Sequence, residues 1–411
     1  MKISILLPYK ENFSPEYPGA VSLFVNEISQ VSRYKKYIKV YGSTEFKDLF
    51  KIKYVNIELK KRFSLSQSKE YINQFINHER KEISNIIEIH NRPIYLKYLN
   101  KRLNNRNYTL YFHNDPLSME GSKSLDDRKI LLNLCHRIIF NSSWSKMRFL
   151  EGLENKYVNS EKLAVFFQSA AKGKINAIKN KKKWITFVGK LNKAKGYDIF
   201  GKAVLRVLKK NPDWRVKIVG DEKREQIHFK HKNIDKLGFL HHKKVLNLFK
   251  ESSIAVVCSR WEEPFGRTSL EAAANGCAVI ISNKGGLPET ITNAIILKKL
   301  NPKALAGEIN DLIFNKFNRT KLQKLSIENF YLTHNYVSNL IDNYRDNKLK
   351  KINFFFTNKK KKSLRILHVT NFNERLDGRL FFNTGRRINN GFIRLGHSVL
   401  GFSDRDIVKY Y

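Results

Sequence analysis

Between Ile254 and Thr290 the chain reads IAVVCSRWEEPFGRTSLEAAANGCAVIISNKGGLPET. Ile254 to Cys258 is a short apolar run rich in β-branched residues, the pattern of a buried parallel strand. Arg260 to Gly266 is charged and holds Pro264 and Gly266, so a loop follows. Thr268 to Ala274 contains strong helix formers and stops at Asn275-Gly276. Ala278 to Ser282 is the next buried strand, and Gly285-Gly286 opens another loop. Strand, loop, helix and strand in this order force a parallel βαβ unit, with the Glu263–Thr268 loop at the carboxyl end of a sheet, where doubly wound folds bind ligands. Backbone N–H groups at the start of the helix there face an anion such as a phosphate.

Two carboxylates frame the turn, Glu263 in the loop and Glu271 in the helix. Taken alone they have ordinary explanations. Thr268-x-x-Glu271 fits a capping box, in which Glu271 reaches back to the Thr268 backbone. Glu263 fits an exposed loop carboxylate.

The rest of the chain bounds the architecture. At 411 residues it is too long for one ordinary core, so two or more domains are expected. It has no apolar run long enough for a membrane helix. MKISILLPYK reads as a first strand and turns polar too soon for a signal peptide. Cys135, Cys258 and Cys277 form no pair motif and read as thiols in a reducing cytosol, the latter two buried in apolar runs. The net charge of +40 fits nucleic acid, an anionic membrane or anionic substrates. Lys, Asn and Ile are abundant throughout, so the charge reads as a composition bias. The regular aromatic interleaving of an RNA-binding sheet is missing, and no nucleic-acid partner is expected.

Ile3 to Pro8 is the first strand, followed by a loop, a helix opening at Gly19-Ala20 and a second strand at Ile38 to Gly42. Further strands end in polar residues: Ile86 to Ile89 before His90-Asn91-Arg92, Tyr108 to Phe112 before His113-Asn114-Asp115, and Arg137 to Asn141 before Ser142-Ser143. Such strand ends build a rim at one end of a parallel sheet. Lys172 to Lys183 holds six Lys and no acid, so it reads as a solvated linker and a domain boundary. A new strand at Trp184 to Gly189 leads into Lys190-Leu191-Asn192-Lys193-Ala194-Lys195-Gly196. Val216 to Asp221 is another strand end, and helices run from Asn301-Pro302 to about Asn347.

Taken together these segments resemble the retaining glycosyltransferases of the GT-B fold, in particular glycosyltransferase family 4. Glu263 and Glu271 match that family's E-x7-E motif, Pro264 to Thr268 its loop, Ala272 to Ile280 and Gly285-Gly286-Leu287-Pro288-Glu289 its continuation. Gly189 to Gly196 matches its G-R-L-x-x-x-K-G segment, with Lys190 in place of Arg. The resemblance is specific from Lys190 to Glu289 and looser before Lys172. It implies an α/β fold of two Rossmann-like domains with parallel sheets facing a central cleft, residues 1–171 on the acceptor side and 184–347 binding the nucleotide sugar. It implies sugar transfer from a UDP- or GDP-linked donor to a glycan or lipid-linked acceptor, in polysaccharide or lipopolysaccharide synthesis, with no metal or further cofactor.

The same resemblance assigns the roles. Glu263, His113 and Lys195 are the catalytic candidates. Lys190, Lys195, Phe265, Gly266, Arg267, Thr268, Glu271 and Gly19 are donor-binding candidates, with Glu271 on the ribose diol. His90, Asn91 and Arg92 are the acceptor-side candidates. The Gly19-Ala20 loop departs from the family's pattern, since a single Gly stands where donor phosphates approach. Lys348 to Arg365, with eight basic residues and no acid, reads as a linker over 348–363, and peripheral contact with an anionic membrane on the cytoplasmic side fits its charge. Residues 364–411 resemble the opening of a second glycosyltransferase domain. Two other classes fit less well. A polyanion-binding protein on an inactive scaffold is opposed by two carboxylates at a cleft mouth. A glycoside hydrolase needs carboxylates that face each other across the sugar.

Overall fold

The computed structural model describes residues 2–59, 66–103, 106–290, 293–356, 363–370 and 384–403. Residues 1–346 form one compact unit built on two parallel sheets. The first sheet contains β1 (Ile3–Leu6), β2 (Ile38–Gly42), β3 (Tyr54–Asn56), β4 (Ile86–His90), β5 (Tyr108–Phe112), β6 (Cys135–Phe140) and β7 (Leu163–Val165), in the order β3-β2-β1-β4-β5-β6-β7. The second contains β8 (Lys182–Val188), β9 (Arg215–Val219), β10 (Ile234–Lys236), β11 (Ser252–Val257), β12 (Ala278–Ser282) and β13 (Ala294–Leu297), in the order β10-β9-β8-β11-β12-β13.

Each sheet reverses its winding at its first strand. β1 lies between β2 and β4, with Ile3 opposite Ile38 on one side and Ile86 on the other. β8 lies between β9 and β11 in the same way. These are the switch points at which doubly wound sheets open a crevice. The central strands are buried on both faces, and their apolar runs follow from that. Here the α/β expectation of two Rossmann-like domains is met. β7 and β13 are edge strands that the sequence patterns did not announce.

The helix at Arg267–Ala274 starts one residue earlier than the sequence predicts. Its N-cap is Gly266, at φ 107°, and no side chain caps it. The capping-box explanation of Glu271 is therefore set aside. A Cβ on Gly266 would run into the Leu287 side chain, which is why glycine stands there.

Lysines of the 172–183 segment are not uniformly solvated. Lys172 Nζ donates to the Phe330 carbonyl at 3.0 Å, and the half-buried Lys181 Nζ donates to the carbonyls of Phe249 and Asn275, both at 2.7 Å. Those carbonyls lie at the C-terminal ends of two helices, where a cation is favoured.

The helix His334–Phe356 follows the second sheet, and its first half docks on the first. Ser338 Oγ donates to the Ile28 carbonyl at 2.9 Å, and Arg345 forks onto both oxygens of Glu88 at 2.8 and 2.7 Å. The helix therefore occupies 348–356, the start of the segment read as a linker. Residues 357–362, the loop with Gly378 and the chain from 404 lie outside the described residues. Residues 347–411 form a second unit, in which β14 (Arg365–Val369) pairs in parallel with β15 (Ser398–Phe402) beside a helix at Thr384–Arg394. Leu367, Val369 and Leu400 are exposed there, as expected of two strands too few to enclose a core. Among the described residues no helix is long and apolar enough to cross a membrane.

Candidate active site

The carboxyl ends of the two sheets face a common cleft with ≈ 840 Å³ of empty space. His113, Asn141 and Gln168 line it from one side, and Lys195, Glu263 and Gly266 to Thr268 from the other.

Lys195 is placed by its loop. Gly196, at φ 72°, lies so close to strand β11 that a Cβ would run into the Cys258 carbonyl oxygen. Asn192 Oδ1 accepts the Lys195 N–H at 3.0 Å, and the Ala194 carbonyl accepts the N–H groups of Arg260 and Trp261 at 2.9 and 3.0 Å. The loop is thereby fastened to the end of β11, and Lys195 Nζ pairs with Glu263 Oε1. Ser259 Oγ donates to the same carboxylate oxygen at 2.8 Å. Gly285 and Gly286 let the following loop close on this turn, and the Gly286 N–H donates to the Glu263 carbonyl at 2.6 Å. Glu263 is a buried carboxylate with one cation beside it, not an exposed loop residue.

Arg267 and Glu271 are four residues apart on one helix face, with Nε donating to Glu271 Oε1 at 2.7 Å. His242 Nε2 lies 2.8 Å from the same oxygen. Burial works against the Glu271 charge, yet Arg267 and His242 outweigh it and hold the carboxyl below its ordinary value. Arg267 Nη2 donates to both oxygens of Glu27 at 2.6 Å. Burial likewise disfavours the guanidinium charge, and Glu27 and Glu271 overcome it, raising the Arg267 pKa. Arg267 Nη1 is buried with no partner.

On the first domain, His90 ends β4 and His113 follows β5. Asn91, in left-handed backbone at φ 55°, accepts the N–H groups of His113 and Asn114 on its Oδ1 at 3.1 and 3.0 Å. Asn141 Nδ2 donates to the His113 carbonyl at 3.0 Å. The His113 ring is thus held at the cleft wall from two neighbouring strand ends. Burial, with Arg267 nearby, pushes its pKa down to about 3. Arg92 turns back onto the Asn91 carbonyl.

The remaining sequence candidates are less central. Gly19 is the N-cap of the Ala20–Val31 helix, and Ala20 rather than Gly19 lines the cleft. The Ser22 N–H at that helix start is taken by Glu11 Oε1 at 2.9 Å. Lys190 is exposed and does not line the cleft. Phe265 lines it from a buried position, packed toward Phe167 at 5.9 Å between ring centres.

Three residues at the cleft or across the domains escaped the sequence analysis, Glu27, His242 and Gln168, and Glu289 was read only as part of a longer match. Glu289 accepts the N–H groups of Ser143 and Trp144 at 2.6 and 2.8 Å, so the second domain caps a helix of the first. Only its place in the G-G-x-P-E segment marked it. Glu27 and His242 sit on polar helix faces with nothing local to distinguish them.

Residues 169–329 match the family model described as "Glycosyl transferases group 1". Spore coat protein SA of Bacillus subtilis (strain 168) is 33% identical over 162 residues, 35% of this chain and 43% of that protein. An "uncharacterized 41.2 kDa protein in cps region" of Klebsiella pneumoniae is 31% identical over 123 residues, 29% of this chain and 33% of that one. The matched segments thus span less than half the length of these two relatives. The structure of Anabaena Alr3699/HepE in complex with UDP and glucose superposes with a TM-score of 0.66 at 17% identity, over 85% of this chain and 99% of that one. At that identity the likeness is one of fold. Over residues 169–329 the chain is therefore similar to glycosyl transferases group 1, and its two-sheet fold is shared with that solved structure.

Proposed function

We propose that the protein is a retaining, metal-independent glycosyltransferase that moves a sugar from a UDP- or GDP-linked donor to a glycan or lipid-linked acceptor. One observation carries this reading: Lys195, Glu263 and the Gly266–Thr268 helix start face His113 across a single cleft. Cleaving a glycosyl–diphosphate bond builds negative charge on phosphate and positive charge on the sugar. Lys195 and the amides at the start of the Arg267–Ala274 helix suit the first. Glu263 suits sugar hydroxyls, and Glu271 the ribose diol. Lys195 supplies fixed positive charge at the leaving group, so the scheme requires no metal. A donor phosphate oxygen takes the acceptor proton, and no separate base is needed.

The solved relative bound to UDP and glucose supports a nucleotide-sugar donor. The spore-coat and cps-region relatives support a cell-surface polysaccharide acceptor, with work at the cytoplasmic face of a membrane part of the same proposal. The test is a panel of nucleotide sugars, read by thermal shift and by turnover or slow donor hydrolysis. Glu263→Gln and Lys195→Ala should abolish turnover while the fold persists. No binding of any nucleotide sugar at roughly millimolar concentration would overturn the proposal.

A further inference from the structure

At the amino end of the first sheet, opposite the cleft, lies a second cavity with ≈ 570 Å³ of empty space. Four lysines line it: Lys2 before β1, Lys36 before β2, Lys39 within β2 and Lys53 before β3. Parallel pairing brings them to one rim, because all three strands start from the same end of the sheet. The backbone fixes them there. Ile3 stands opposite Ile38, the Lys2 N–H donates to Asn85 Oδ1 at 2.8 Å, and the Lys53 carbonyl accepts the Val40 N–H at 2.9 Å.

The charge of this cavity is not balanced from within. Lys2 and Lys39 share one oxygen of Glu82, at 3.5 and 2.6 Å. Lys36 and Lys53 make no side-chain hydrogen bond or ion pair among the described residues. Glu79 is fully buried behind Ser4 and Ser84, and the Ser84 hydroxyl and N–H donate to it at 2.6 and 3.2 Å. Four cations therefore face one carboxylate on the rim and one walled off behind two serines. The excess acts on its surroundings: burial, then Lys39 and Lys81, lower the pKa of His78. Like charges gathered this closely repel one another, and an anion between them removes the repulsion.

We propose that this cavity binds a phosphate group, carried by a ligand other than the sugar donor. Lysine holds phosphate as a point charge and demands no planar partner. The lining contains no arginine, so it suits a compact anion with oxygens on several sides better than a flat carboxylate. Tyr37 on the rim is half exposed, and so is Ile83, between Glu82 and Ser84. A phospholipid headgroup and a free phosphorylated molecule present the same phosphate chemistry to such a site. The proposal does not depend on the glycosyltransferase reading.

The test compares Lys36→Ala/Lys53→Ala with Lys321→Ala/Lys324→Ala, which removes the same charge from exposed positions on the Lys316–Glu328 helix. All are made in the full chain carrying Lys195→Ala, so that the cleft lysine contributes nothing, and all are measured at one ionic strength. Inorganic phosphate, titrated by calorimetry, should bind with a Kd of roughly millimolar, weakened about fivefold or more in the cavity variant and unchanged in the control. Vesicles of phosphatidylcholine with and without phosphatidylglycerol, read by cosedimentation, separate the two sources. A loss of vesicle binding in the cavity variant beyond that of the control assigns a lipid headgroup. Weakened phosphate binding without that loss assigns a free phosphorylated molecule. Two double variants that behave alike toward both probes would show a response to bulk charge alone and overturn the proposal.

Discussion

Arg267 and Glu27 are 240 residues apart in the chain, yet one guanidinium nitrogen of the first donates to both carboxylate oxygens of the second at 2.6 Å. The pair joins the cleft helix of the second domain to the first helix of the first. Arg267 also holds Glu271, so the interdomain contact and the proposed ribose carboxylate share one cation. Both side chains of the pair are mostly buried, and removing one partner strands the other. Glu27→Gln should cost about 2–5 kcal/mol in urea unfolding. It should also weaken nucleotide-sugar binding, read by calorimetry, because Arg267 then leans fully on Glu271.

Arg345 is buried against Glu88 and Asp342, and its fork closes a contact 257 residues long. Arg345→Met should destabilise by about 3–5 kcal/mol, since it leaves Glu88 buried without its cation, while Asp342 keeps only the Arg33 cation at 3.8 Å. Adding Glu88→Gln and Asp342→Asn should recover much of that loss. A triple variant no better than the single one, measured by urea unfolding, would contradict the electrostatic explanation.

Gly196 combines a left-handed backbone with close approach to Cys258. Gly196→Ala should push the 190–196 loop off β11 and carry Lys195 away from Glu263. Destabilisation of about 1–3 kcal/mol is expected, with a larger loss in kcat than in fold stability. Thermal denaturation and steady-state kinetics on one preparation check both.

Acid should unfold the protein through its histidines. Burial depresses the pKa of His90 well below 6.5 and that of His113 to about 3. Below pH 6.5 the unfolded chain takes up these protons and the folded chain does not, so stability falls as pH falls from 6.5 toward 3. Above that range these two groups contribute no slope. Melting temperatures between pH 8 and pH 5 should show this, and His90→Asn should flatten the decline.

Glu289 caps the Ser143–Leu150 helix from the other domain. Glu289→Ala should cost about 1 kcal/mol, the usual worth of a cap, and loosen the closed arrangement of the two domains. A larger radius of gyration in small-angle scattering is the expected signature.

Much of the cleft was legible because its motifs are local. Glycine marks the tight approaches at 196, 266 and 285–286, and alternation of apolar strand with helix marks the sheet ends. Lys195, Glu263 and His113 are legible as site residues through their match to the family's segments, since loop and strand-end positions alone fit ordinary surface or capping roles. Lys190 and Gly19 rest on the same resemblance, and neither reaches the lining of the cleft.

By itself, then, the sequence determined the two parallel sheets, their order of strand and helix, and the loops that carry the cleft residues, because periodicity and glycine act within a few residues of themselves. Only the tertiary structure decided which charges meet. Glu27 and His242 lie on unremarkable polar stretches, and their partners are 240 and 29 residues away. A side chain's pattern in the chain tells whether it is buried. Which opposite charge it meets there is set by how the two sheets pack, and that geometry has no local signature.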